Sequence, residues 1–276
     1  MVKIAPLKVR LLLLLMTLST LTFSQNVRPK IGVTFSGGGA KGLAHIGILK
    51  AIDSAGLNID YVTGTSMGSI IGALYAIGYS ADTLEKITRA IDWENLLRDQ
   101  ANLRTLFMEE KDEAQKYILE LPWINHKFQL STGLLEGQEI WLKFSELFFP
   151  VYNIKDFSLF PIPFRCISTD VGSGEAIVMT HGEINTALRA SMAIPSVFTA
   201  VDIDGHKMVD GGLVRNFPVR DAREMGADFV IGSNVTSGLL PSEKVRNVFQ
   251  MLLQIAFFRE SEDTKKEVPL CDIYIP

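Results

Sequence analysis

Residues 30–68 read KIGVTFSGGGAKGLAHIGILKAIDSAGLNIDYVTGTSMG, and the fold class follows from them. Lys30 to Ser36 is a short apolar run of strand character, and it stops at the glycine loop Gly37 to Gly42. Leu43 to Ala55 has the apolar spacing of an amphipathic helix, closed by Gly56. Ile59 to Thr63 is a second apolar strand. It runs into Gly64-Thr65-Ser66-Met67-Gly68 and a helix over 67–78. Two strand-to-helix units in succession, each turning on glycines, are the signature of an α/β architecture with a mostly parallel sheet covered on both faces.

The rest of the chain keeps this alternation. Helices are expected over 82–97, 136–149, 183–192, 218–225 and 243–259. Strands are expected over 164–169, 175–180, 207–209, 228–233 and 273–275. Residues 98–135 read as irregular, with room for a short hairpin. Candidate walls for an apolar ligand are Phe107, Met108, Leu134, Leu135, Phe148, Phe149, Phe198 and the helix over 243–259. No repeat or low-complexity linker divides the sequence, so one domain is expected over 25–276. The stop directly after a strand suggests the N-terminal part of a longer chain.

Residues 61–81 carry no charged side chain. Their length would allow a membrane span, but the polar and glycine-rich first half argues for a buried strand, a sharp turn and a buried helix. Gly64, Gly68, Gly72 and Ala76 put small residues on one helix face. At the N-terminus, Lys3, Lys8 and Arg10 precede the run Leu11 to Leu15 and the small residues before Gln25, the pattern of an export signal over 1–24. Its removal takes the net charge from −4 to −7. An acidic balance of 31 Asp and Glu against 27 Lys and Arg disfavours nucleic acid as a partner. Two cysteines, Cys166 and Cys271, cannot build a disulfide framework; they could pair in an oxidising compartment, but two separate buried thiols is the preferred reading.

Three motifs can carry chemistry. Gly37-Gly38-Gly39-Ala40-Lys41-Gly42 fits G-x-G-x-x-G, but the acidic residue a dinucleotide site needs would be Asp60, at the wrong end of the second strand. A P-loop is excluded because Gly42, not Ser or Thr, follows Lys41. The loop can instead be a nest of N–H groups for a phosphate or an oxyanion. Gly64-Thr65-Ser66-Met67-Gly68 is a G-x-S-x-G between strand and helix, the context of a nucleophile elbow, with Ser36 and Ser69 as rival serines. For the base, Asp170 with His181 or His206 formally completes a triad. Asp210-Gly211-Gly212 offers instead a carboxylate at a strand end, with glycines that let the backbone turn away.

Taken together with Ala190-Ser191-Met192-Ala193-Ile194-Pro195, these blocks resemble the patatin-like phospholipase family, over about residues 30–276. The resemblance implies a three-layer α/β/α fold and a serine acyl hydrolase with Ser66 as nucleophile and Asp210 as its partner. It implies an oxyanion hole from the backbone of Gly37, Gly38 and Gly39, with Lys41 and Gly42 closing the loop and no catalytic metal. Gly64 and Gly68 flank the elbow, and Gly211 and Gly212 complete the aspartate motif. No cofactor is expected. A phospholipid or other acyl lipid is the expected substrate, a membrane surface the expected partner, and the periplasm, outer membrane or exterior the expected location. The alternatives are a non-lipid esterase or thioesterase on the same dyad, and a nucleotide-binding module using the glycine loop.

Overall fold

The computed structural model describes residues 28–97, 123–124, 127–128, 133–236 and 238–276. The proposed export signal, Phe107 and Met108 lie outside them. The strands are β1 (Ile31–Phe35), β2 (Tyr61–Thr65), β3 (Trp123–Ile124), β4 (Lys127–Phe128), β5 (Gly133–Leu135), β6 (Phe164–Asp170), β7 (Ala176–Met179), β8 (Ser196–Phe198), β9 (Val201–Ile203), β10 (His206–Asp210), β11 (Phe229–Ser233) and β12 (Ile273–Ile275). The α-helices are α1 (His45–Ser54), α2 (Met67–Ala76), α3 (Ala81–Ala90), α4 (Trp93–Leu97), α5 (Gln138–Leu147), α6 (Ile184–Ser191), α7 (Val219–Glu224), α8 (Val248–Ala256) and α9 (Phe258–Glu267).

Eight strands form one sheet in the order β12-β11-β1-β2-β6-β10-β9, with β7 also paired to β6. The five from β12 to β6 are parallel, and β7, β10 and β9 join antiparallel. β1, β2 and β11 are buried at four consecutive positions, as strands covered on both faces must be. On one face, α1, α2, α5 and α6 enclose the larger core around Val33, Phe35, Val62, Leu49, Ile71 and Leu188. On the other, α7 closes a smaller core of Phe217, Val219, Ala222, Ala227 and Val230. The result is a three-layer α/β/α fold.

The uncharged run 61–81 forms β2, a turn and the buried helix α2. Among the described residues no helix is long and apolar enough to cross a membrane. Helix packing follows the small residues: a Cβ on Gly72 would lie 2.9 Å from the Val62 side chain.

Several boundaries differ from expectation. The helix over 43–55 is preceded by a 3-10 turn at Gly39–Ala44. The helix over 82–97 breaks where Ile91 adopts an extended backbone, separating α3 from α4. The long apolar helix over 243–259 is two helices, α8 and α9, with Phe257 between them. Both cysteines are free, but only Cys166 is fully buried, while Cys271 is half-buried beside the short edge strand β12.

Candidate active site

The register of β6 brings two distant strand ends together. At Cys166 and Ile167, β7 pairs along one edge of β6 and β2 along the other, with Thr65 beside Ile167. At Ser168 and Thr169, β7 still holds the first edge, so β10 must share the edge with β2, and Asp210 lies beside Ser168. β2 runs parallel to β6 and β10 antiparallel, so the C-terminal ends of β2 and β10 meet head-on. Ser66 follows the end of one, and Asp210 ends the other. Ser66 Oγ donates a hydrogen bond of 2.8 Å to Asp210 Oδ2.

Ser66 sits at φ 52° and ψ −127°, a left-handed backbone that an L residue adopts only when its surroundings enforce it. The enforcement comes from glycines packed backbone to backbone. A Cβ on Gly64 would stand 2.6 Å from the carbonyl oxygen of Gly68, and one on Gly68 would stand 2.4 Å from that of Ser36. Ser66 N–H donates to Ser191 Oγ at 3.0 Å, and Ser191 Oγ–H donates to the Ile167 carbonyl at 2.6 Å. The block 190–195 thus pins the elbow from below. Ser66 stands at the N-terminus of α2 without capping it through its side chain, and there the helix field favours negative charge on its oxygen.

Asp210 is 5% exposed. Burial pushes its carboxyl up to about 6, although hydrogen bonds from Gly212 and Ser66 pull the other way. Gly212 N–H donates to Oδ1 at 2.7 Å, and Asp210 N–H to the Ala193 carbonyl at 2.9 Å. Gly211 must lack a side chain because a Cβ there would stand 2.3 Å from the Ile167 carbonyl oxygen. The carboxylate is therefore fixed on both sides, with one oxygen on the backbone and the other on the serine.

The glycine loop leaves β1 beside this pair. Gly37 N–H donates to Asn216 Oδ1 at 3.0 Å and shares the Asn216 carbonyl at 3.2 Å. The N–H groups of Gly38 and Gly39 have no hydrogen-bond partner among the described residues. His45, fully buried, holds the loop from beneath: Nε2 donates to the Ser36 carbonyl at 2.9 Å, and Ser233 Oγ–H donates to Nδ1 at 2.9 Å. Burial lowers this imidazole to about 4, so it is neutral. Gly42 packs against Met67, where a Cβ would stand 2.5 Å from the side chain.

Gly37, Gly38, Gly39, Lys41, Ser66, Asp210 and Gly212 all line one cleft of about 350 Å³. Its other walls include Ile194, Pro195, Leu213, Asn216, Val235, Leu239, Leu240, Phe257 and Glu260. These walls are largely apolar, and one side is the segment that joins β11 to α8.

Other candidates lie elsewhere or are engaged. Ser36 Oγ accepts from Val235 N–H, and Ser69 Oγ–H donates to the Ser66 carbonyl. His181 and His206 are exposed and do not line the cleft. Asp170 caps its own turn through Gly172 and Ser173. Asp60 is bound by Arg28 and by Ile31 N–H, which occupies the group a ribose would need. Of the apolar wall candidates, Phe148 and Phe198 are core residues and Phe149 is exposed away from the cleft. Sequence reading missed Ser191 as a contact of the elbow, and Asn216 and Glu260 as cleft residues. Asn216 stands six positions after Asp210 with no local signal. Glu260 follows a long apolar run that reads as ordinary helix.

Comparisons with known proteins bear on the family. The family profile described as patatin-like phospholipase matches residues 33–223. A patatin-like phospholipase domain-containing protein of Caenorhabditis elegans is 32% identical over 209 residues, which are 75% of this chain and 14% of that protein. An uncharacterized NTE family protein of Mycobacterium tuberculosis is 27% identical over 203 residues, 74% of this chain and 48% of that one. The chain thus spans less than half the length of these relatives. Among solved structures, VipD from Legionella pneumophila is similar with a TM-score of 0.47 and 15% identity, over 78% of this chain and 51% of that chain.

Proposed function

This chain belongs to the patatin-like phospholipase family, and from that premise we propose that it is a serine acyl hydrolase cleaving carboxylic ester bonds of phospholipids or other acyl lipids, of phospholipase A or lysophospholipase type. The observation that carries the reading is the buried hydrogen bond from Ser66 Oγ to Asp210 Oδ2. Among the described residues, Asp210 is the side chain hydrogen-bonded to Ser66 Oγ, and no histidine lines the cleft.

The chemistry follows from the contacts. Asp210 accepts the Ser66 proton as Oγ attacks the ester carbonyl. The carbonyl oxygen becomes an oxyanion, and unengaged N–H groups at Gly38 and Gly39 are suited to receive it, each contributing roughly 3 kcal/mol. The tetrahedral adduct collapses as Asp210 returns the proton to the departing alkoxide, leaving an acyl ester on Ser66. Water then attacks this ester, giving its proton to Asp210, and the serine is regenerated with release of the carboxylic acid. An aspartate at its ordinary value near 4 is a weak base; one raised by burial is better matched to the task. An alkoxide leaves more readily than an amide nitrogen, which favours esters.

Apolar surface near the cleft supports a lipid as substrate. Leu239, Leu240 and Phe257 line its mouth, and Met251, Leu252, Ile255 and Phe258, on and just after α8, are about half exposed. We extend the proposal to a lipid surface as the place where substrate is met, and to export by residues 1–24. Ser66→Ala and Asp210→Asn are each expected to abolish release of fatty acid from phospholipid vesicles while the protein stays folded. Retention of activity by either folded variant contradicts the dyad. Hydrolysis confined to short water-soluble esters contradicts the lipid assignment alone.

A further inference from the structure

The glycine loop is held by a side chain outside it. Asn216 is 6% exposed and lies in the wall of the cleft. Its Oδ1 accepts Gly37 N–H, and its Nδ2 donates to Glu260 Oε1 at 3.5 Å. Thr264 Oγ1–H donates to the same Glu260 oxygen at 2.9 Å from one turn further along α9. Glu260 is 5% exposed and sits in the first turn of α9, where the helix field favours a carboxylate. A line of hydrogen bonds therefore runs from the first loop glycine through Asn216 and Glu260 to Thr264.

An amide side chain is required at position 216 for chemical reasons. The group facing Gly37 must be an acceptor, and the group facing Glu260 must be a donor. Asparagine offers one of each at fixed separation. Space is limiting as well: a Cβ on Gly37 would stand 2.4 Å from Asn216 Oδ1, and one on Gly212 would stand 3.0 Å from it. Asn216 thus touches the oxyanion loop and the aspartate motif at once.

We propose that Asn216 is a positioning residue for ester hydrolysis. It takes up the Gly37 N–H, orients the loop so that Gly38 and Gly39 serve as the oxyanion donors, and is itself held in that rotamer by Glu260. This rests on the acyl-hydrolase reading above and names the residues that set its oxyanion site. Misplacing donors by a fraction of a bond length costs transition-state stabilisation while leaving the apolar walls that bind the acyl chain intact, so the effect belongs in kcat rather than KM.

The experiment uses the full chain with p-nitrophenyl butyrate, and fluorophosphonate labelling of Ser66 as a second readout. Asn216→Ala is expected to lower kcat at least tenfold with KM nearly unchanged. Asn216→Asp sets two carboxylates against each other and is expected to lose as much. The double variant Asn216→Asp with Glu260→Gln restores the donor–acceptor order with its polarity reversed, and is expected to recover kcat to within about threefold of the wild type. A folded Asn216→Ala protein with kcat within twofold of wild type overturns the proposal, as does a double variant no better than Asn216→Asp alone. Should Asn216→Ala fail to fold, Glu260→Ala reads the same line from its other end: a lowered kcat at constant KM supports the proposal and an unchanged kcat overturns it. A wild-type protein that neither hydrolyses the ester nor takes the label overturns the acyl-hydrolase reading together with the positioning role. A labelled, active wild type whose Asn216 variants are equally active overturns the positioning role alone.

Discussion

At the candidate site, burial changes the chemistry of Asp210. With its carboxyl raised to about 6, a free-enzyme kcat/KM should climb with pH through that value and level off above it, because only the ionised form accepts the serine proton. An ascending limb centred near 4 would contradict the upward shift by burial. The same shift bears on stability. The folded state holds the Asp210 proton more tightly than the unfolded state, so stability falls as pH rises from about 4 to about 6 and stays lowered above that. Asp210→Asn keeps an acceptor for Gly212 N–H and a donor for Ser66 Oγ without the buried charge. It is therefore expected to be more stable than wild type at pH 8, by on the order of 1–3 kcal/mol, with the difference vanishing below pH 4. Thermal melts at the two pH values check this. At this scale the sequence was partly legible. Ser66 and Asp210 stand out because their neighbours must be glycines, and glycine is visible. Asn216, Ser191 and Glu260 act through tertiary contacts to backbone and side chains far away in sequence, which leave no mark on their immediate neighbours.

Among the elements, the turn from β2 into α2 has the least tolerance. Gly64→Ala and Gly68→Ala each drive a methyl group into backbone atoms at 2.6 and 2.4 Å, which no rotamer change relieves. Both are expected to lower the melting temperature sharply or to prevent accumulation of soluble protein, whereas Gly47→Ala, on α1 with nothing near its Cβ position, is expected to be neutral or slightly stabilising. Equal melting temperatures for all three would contradict the close packing at the elbow. The strands and helices that alternate along the chain were legible because burial on both faces produces continuous apolar runs. The three-residue strands β8 and β9 were not, since so few positions show no period. The division of residues 243–259 into α8 and α9 escaped for another reason. α9 is polar and yet buries Glu260 and Glu267, and an apolar pattern cannot announce a helix that docks through carboxylates.

For the molecule as a whole, the site exists because β2 and β10 share one edge of β6. That the sheet is mostly parallel could be read from strands alternating with helices. That its last strands turn antiparallel and aim Asp210 at Ser66 could not, because register is a property of pairs of strands. α9 completes the arrangement by crossing to α7, where buried Glu267 accepts from the backbone N–H and the guanidinium of Arg220, and Asp263 accepts from the same guanidinium. Burial pushes the Glu267 carboxyl upward while Arg220 opposes it. Glu267→Ala would leave Arg220 with Asp263 alone and its backbone N–H without an acceptor, and is expected to destabilise the fold by about 1.5–3 kcal/mol, read as a lower midpoint in urea. Because α9 also carries Glu260, the loss should be accompanied by lower activity of the molecules that remain folded. A midpoint equal to wild type would show that the pair does not anchor α9.

One measurement bears on all three scales: labelling of the folded protein with a fluorophosphonate, followed by mass mapping of the modified peptide. The adduct is expected on Ser66, absent from Ser66→Ala and formed far more slowly in Asp210→Asn. An adduct on Ser36 or Ser69, or a folded wild-type protein that takes up no label, would contradict the Ser66–Asp210 dyad.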